Sequence, residues 1–294
     1  PFYPHHIICH DELEWHLCRA AHWIWNRRAT AKRAGFPFSE ETITETVLLD
    51  LALALSKQIH IVPFNKPREG KTGADWEWCL YDEENQRYLR FLVQAKVLDN
   101  RDQTYAHIDR YIGNSGVRQI DRLQETSKRR GVPAIYAFYN HLNELNRVPF
   151  RKCECFKCHG CWGASVAPLG AVLAMLPDKS FDTLKTVSMP WVCLLCAQAE
   201  DDPIDRALRG LQKIDAYSRD ILGDRMAGIP RPPERPDREP PDYFQPLREF
   251  LLAGSDVPIG EDMQEKLAAR NPALDGVVLI DATSDRDEFS DETD

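Results

Sequence analysis

Two runs of alternating residues constrain this chain more than any other feature. In Asp75-Trp76-Glu77-Trp78-Cys79-Leu80, a period of two puts Asp75 and Glu77 on one face of a strand and both tryptophans on the other. In Arg90-Phe91-Leu92-Val93-Gln94-Ala95-Lys96, the same period puts Gln94 and Lys96 on one face. Neighbouring strands of this kind present a carboxylate, a carboxamide and a lysine together. Such a set suits a divalent cation held through the carboxylate, with the lysine next to an attacking water or a phosphate.

The flanking segments set an order of elements. Ser39 reads as an N-cap, with Glu40 and Glu41 in the first helical turn, where acids favour the positive helix end. Ile43, Val47, Leu48, Leu51 and Leu55 then keep helical spacing to about residue 57. A short strand over 59–64, a turn over 66–72 and strands around 74–80 and 88–97 follow. A helix from about 116 to 130 is ended by Gly131, and 134–139 reads as a buried strand. The series is helix, three strands, helix, strand.

With that order and these residues, the chain resembles the PD-(D/E)xK nuclease superfamily over roughly 38–140. Asp75 matches the aspartate that ends the acidic motif, and Gln94-Ala95-Lys96 matches the second motif in a Q-x-K form similar to that of Mrr-type restriction endonucleases. The Gly-Ala-Asp-Trp-Glu-Trp and Gln-Ala-Lys signatures also resemble a bacterial family of unassigned function. The resemblance implies an α/β fold with a restriction-endonuclease-like core (α-β-β-β-α-β, a central mixed sheet flanked by helices). It implies a metal-site glutamate on the preceding helix. Glu41, in Glu41-Thr42-Ile43-Thr44, is favoured, and Glu45 lies four residues on along the same face. Catalysis would rest on Glu41, Asp75, Glu77, Gln94 and Lys96, with Mg2+ or Mn2+ held by Asp75, Glu41 and Gln94. Gln94 stands where many members have glutamate, and Glu77 is expected to supply the missing charge.

Cysteine spacing carries a second signal. Six of the nine cysteines form two clusters: Cys153, Cys155, Cys158 and Cys161, then Cys193 and Cys196. The pairs Cys155/Cys158 and Cys193/Cys196 read as knuckles for a structural tetrahedral Zn2+. The pair Cys158/Cys161 has equally suitable spacing, and Cys153 or His159 can substitute. Cys9, Cys18 and Cys79 read as core residues, and His16 and His22, six apart, lack ligand spacing.

The net charge of −9 argues against a nucleic-acid partner until its distribution is examined. Residues 198–294 hold 24 acidic and 12 basic residues, whereas 1–197 hold 22 acidic and 25 basic. The part bearing the candidate site is therefore mildly basic. Lys128-Arg129-Arg130, Arg147, Arg151 and Lys152 are candidates for phosphate contact. No apolar run approaches the roughly 18 residues of a membrane span, no secretory signal is visible, and the cysteine pattern fits a reducing compartment. These features predict a cytoplasmic protein with no membrane partner.

The expected organisation is an N-terminal helical segment (1–37), the nuclease-like core (38–150), a cysteine-rich zinc module (151–200) and a helical extension (201–228). A proline-rich arm with short helices (229–280) and an acidic, disordered tail (281–294) complete it. The aromatics of the first segment are expected to pack on the core. The functional expectation is a Mg2+-dependent nuclease that hydrolyses phosphodiesters of DNA in bacterial defence against phage, as a homodimer or a subunit of a defence complex. The alternative is a catalytically inactive nuclease-fold binding or scaffold protein with a structural zinc. No His-Glu-x-x-His motif supports a zinc hydrolase, and no phosphate-binding Gly-Lys loop supports NTP use.

Overall fold

The computed structural model describes residues 11–63, 74–112, 115–142, 159–196, 201–252, 261–270, 274 and 276–283. Cys153, Cys155, Cys158, Arg147, Arg151, Lys152, the 66–72 turn and the tail beyond 283 lie outside these residues.

The first helix, α1 (Glu12–Ala34), starts where the Asp11 side chain accepts a hydrogen bond from Glu14 N. It stops at Gly35, whose φ of 64° a residue with a side chain rarely adopts. Leu13, Leu17, Ala21 and Ile24 form its buried stripe. Trp25 is buried as expected, whereas Trp15 is 44% exposed. Helix α2 (Glu40–Ala54) is capped by Ser39 and buries Ile43, Val47, Leu48 and Leu51. There follow β1 (Ile59–Pro63), β2 (Trp76–Asp82), β3 (Arg87–Val97), α3 (Gln119–Arg130) and β4 (Ala134–Tyr139). The order of elements expected over this stretch is therefore present. Gly131 ends α3 with φ 66°.

The sheet does not stop there. The region expected to be a separate cysteine-rich module adds β5 (Ala164–Pro168), α4 (Leu169–Met175), α5 (Phe181–Leu184) and β6 (Met189–Pro190). Helices α6 (Pro203–Leu222), α7 (Phe244–Leu252) and α8 (Glu261–Arg270) follow, and the chain returns as β7 (Gly276–Asp281). One seven-stranded mixed sheet results, in the order β1-β7-β2-β3-β4-β5-β6. Strand β7 runs antiparallel to β1 and parallel to β2, separating two strands that are consecutive among the described elements. Gly276 permits the insertion, because a Cβ there would collide with the Trp76 ring and the Val62 carbonyl. Asp281 therefore belongs to a strand rather than to a disordered tail.

Helices α1, α2 and α6 pack with Leu80, Leu89, Phe91, Ala95, Ile135 and Val278 on one sheet face. Helices α3, α7 and α8 contribute to the other core with Cys79, Leu92, Tyr136, Phe138, Val277 and Leu279. The proline-rich arm lies against the sheet: Asp237 bridges Tyr88, and Pro233 O accepts from the Gln212 side chain of α6. Among the described residues no helix is long and apolar enough to cross a membrane.

Candidate functional site

The alternation of β2 and β3 works as the sequence implies. These strands pair antiparallel, and Asp75 N donates to Val93 O, which sets Asp75 at the start of β2 opposite the end of β3. The Asp75 Oδ2 atom accepts from Gln94 Nε2 and from Ala95 N, both at 2.7 Å. Lys96 is 1% exposed and donates from Nζ to Glu40 Oε1 at 3.1 Å. Four groups thus converge: Asp75, Gln94, Lys96 and a glutamate at the N-terminus of α2.

That glutamate is Glu40, not the expected Glu41. Glu41 and Glu45 are exposed, whereas Glu40 heads the stripe through Ile43, Val47 and Leu51 and so points toward the sheet. Burial raises the Glu40 carboxyl to about 7, against the pull of Lys96 and with the help of Asp75. Burial likewise raises Asp75, opposed by Lys96, the Ala95 amide and the Gln94 amide. The helix N-terminus favours the charged form of Glu40, but the two carboxylates oppose each other.

The expected role of Glu77 is corrected. It shares the Asp75 face of β2 but is fully buried in a separate ion-pair network. Its carboxylate accepts from Arg130 Nη1 and from the Tyr243 hydroxyl (2.7 Å), with Arg90 Nη1 3.6 Å away. A carboxylate that already serves two guanidinium groups and a phenol is committed to holding α3 and the C-terminal arm on the sheet. Arg130 is correspondingly withdrawn from the expected phosphate contacts, while Lys128 and Arg129 remain exposed.

Residues that sequence reasoning missed surround the site. Tyr136 of β4 is in register with Gln94 and fully buried, and its hydroxyl has no hydrogen-bond partner. Gln94 Oε1 is also buried without a partner. Arg110 is close enough to favour the charged Asp75. On the far side, the buried Arg28 of α1 donates to Leu98 O and Asn100 Oδ1, fixing the chain directly after β3. The run of buried residues at 134–139 signalled a core strand, but nothing local marked Tyr136 as a neighbour of Gln94.

A second cluster was not expected. Cys18 and His22 lie one turn apart on α1, and Cys161 sits in a tight turn, Gly160–Gly163, between β4 and β5. One ligand atom from each lies within 4.8 Å of the others, with Cys161 Sγ 3.6 Å from His22 Nε2, a group able to hold a metal ion. Cys18 is buried in the core as expected, and His22, expected to lack ligand spacing, stands beside it because helical phase pairs a cysteine with a histidine rather than two histidines. Burial lowers the His22 pKa and favours the neutral imidazole that metals bind. Cys18, Cys79, Cys193 and Cys196 are not in disulfides, whereas Cys161 is disulfide-bonded. Cys193 is buried and Cys196 half-buried, but Cys155 and Cys158, expected to bind zinc with them, lie outside the described residues.

Residues 13–286 match a family of unknown function (DUF6615), and the chain belongs to that family. No match was found among curated proteins or among solved structures.

Proposed function

We propose that this chain is a metal-dependent nuclease of the PD-(D/E)xK type that hydrolyses phosphodiester bonds of DNA, with bacterial defence against foreign DNA as its setting. The observation that carries this reading is the convergence of Asp75, Gln94 and Lys96 with Glu40 from the preceding helix. The residues fit a divalent cation. Two carboxylates against one ammonium leave an excess of negative charge in a largely desolvated site, and the buried Gln94 Oε1 lacks a donor. Asp75, Glu40 and Gln94 would hold it, with Glu40 taking the place expected for Glu41.

A bound Mg2+ or Mn2+ supplies a Lewis acid and a lowered water pKa. Asp75 is kept in place by the Ala95 amide and the Gln94 carboxamide, so its carboxylate need not reorganise as charge develops. Lys96 brings a fixed cation toward the phosphate oxygens, and Glu40 holds its ammonium group. In this reading a structural Zn2+ is separate from the catalytic ion.

One observation favours a second reading, a nuclease fold kept for binding or scaffolding. Gln94 already occupies Asp75, and Glu40 already occupies Lys96, so the four groups partly satisfy one another without an ion. Purified protein incubated with plasmid, linear duplex, single-stranded DNA and RNA, in Mg2+, Mn2+ or EDTA, separates the two. Metal-dependent cleavage of DNA that falls at least about 100-fold in both Asp75→Asn and Lys96→Met supports the nuclease. Wild-type rates in the folded variants, or no cleavage of any substrate, would remove it.

A further inference from the structure

The Cys18–His22–Cys161 cluster joins two parts of the chain separated by 139 residues at the closest pair, and its ligand atoms lie near enough to one another to share a metal ion. Tetrahedral zinc with a Zn–S bond of about 2.3 Å and a Zn–N bond of about 2.05 Å sets sulfur and nitrogen roughly 3.6 Å apart. Cys161 Sγ and His22 Nε2 stand 3.6 Å apart. Cys18 and His22 project from successive turns of one helix, so their separation is fixed before the third ligand arrives. Two glycines let that ligand approach: a Cβ on Gly160 would enter the His22 ring, and one on Gly163 would enter the Ala21 carbonyl. The imidazole edge and the thiol are thus held together by the backbone itself.

We propose that Cys18, His22 and Cys161 form a structural zinc site that clamps α1 to the turn between β4 and β5. The site belongs to the reduced protein. A dithiol reductant cleaves the Cys161 disulfide to two thiols and is itself oxidised to a disulfide; the zinc ion then displaces the thiol protons as the thiolates bind. The clamp acts at the end of β4, the parallel neighbour of β3 in the candidate active site. Asn140, directly after β4, donates from Nδ2 to Trp162 O at 2.8 Å and to Ser165 Oγ at 2.9 Å, and its backbone N donates to Gly163 O. Further along α1, Arg28 holds the chain after β3. The ion thereby positions α1 without touching substrate, and the proposal stands whether or not the chain is a nuclease.

The test is metal content and coordination of the full chain purified under reduction without added metal. About one zinc per chain is expected at this site, with a wild-type X-ray absorption spectrum showing both sulfur and imidazole nitrogen in the first shell. Cys18→Ser and His22→Ala should each lose one equivalent of zinc relative to wild type and melt at lower temperature, while Cys79→Ser, a buried thiol elsewhere, should keep it. No zinc in the reduced wild type, an all-sulfur shell, or an unchanged zinc content in Cys18→Ser would overturn the site. Because the absorption spectrum is read on wild type, variants that fail to fold do not shelter the proposal.

Discussion

Glu40 and Glu41 are neighbours in the first turn of α2, and only helical phase separates them. The stripe Ile43, Val47 and Leu51 continues back to Glu40, which reaches Lys96, while Glu41 faces solvent. Glu40→Gln is therefore expected to lower metal-dependent cleavage by about 100-fold or more, and Glu41→Gln to leave it within a few-fold, in parallel rate measurements. Equal losses would return the role to both. The raised Glu40 carboxyl also sets a pH dependence. Its folded value of about 7 lies above the ordinary 4.5, so the stability it allows is present below pH 4.5 and lost as pH rises through 7. Under the proposed function a divalent cation would bind the ionised form and oppose that loss. The melting-temperature gain from Mn2+ should therefore be small near about pH 5.5 and grow toward about pH 8. A gain independent of pH would separate Glu40 from the cation.

Elements are tied together by buried charge as well as by apolar packing. Glu77 of β2 gathers Arg130 from α3, Arg90 from β3 and Tyr243 from the start of the α7 region. Removing one member leaves buried guanidinium charge uncompensated, a loss of about 3–5 kcal/mol. Glu77→Ala should melt well below wild type in differential scanning calorimetry yet keep its thermal response to Mn2+. A variant that melts normally but no longer responds to Mn2+ would move Glu77 into the metal site. A similar network, Arg206 of α6 with Asp11 and Glu14, fixes α1 against α6.

At the scale of the whole molecule, the C-terminal return is part of the sheet. Asp281 N donates to Gln58 O, Ala282 N to Tyr81 O and the Tyr81 hydroxyl to Asp281, so β7 joins β1 to β2 from between them. A chain ending at Thr283 should keep the wild-type melting temperature, because every described contact survives. A chain ending before Gly276 should unfold or aggregate, since β1 loses its partner and Val277, Val278, Leu279 and Ile280 leave the two cores. A folded, wild-type-like product of the shorter truncation would show that the β7 pairing is dispensable. Any effect of the acidic tail on DNA binding must accordingly be tested by cutting after residue 283, not at Asp281.

The sequence by itself determined the elements whose signals are local. Ser39 and the apolar spacing behind it specify α2, Gly131 ends α3 at a left-handed turn, and the period-two runs give β2 and β3 with Asp75, Gln94 and Lys96 on one face. Backbone sterics and side-chain periodicity act over a few residues, so a short window contains them. Only the tertiary structure decided which glutamate meets Lys96, where β7 inserts, why Glu77 is spent on arginines, and how Cys18 and His22 find Cys161. Each of these depends on which distant surfaces exclude water together. Burial and charge pairing select a partner across the chain, and no local period encodes that choice.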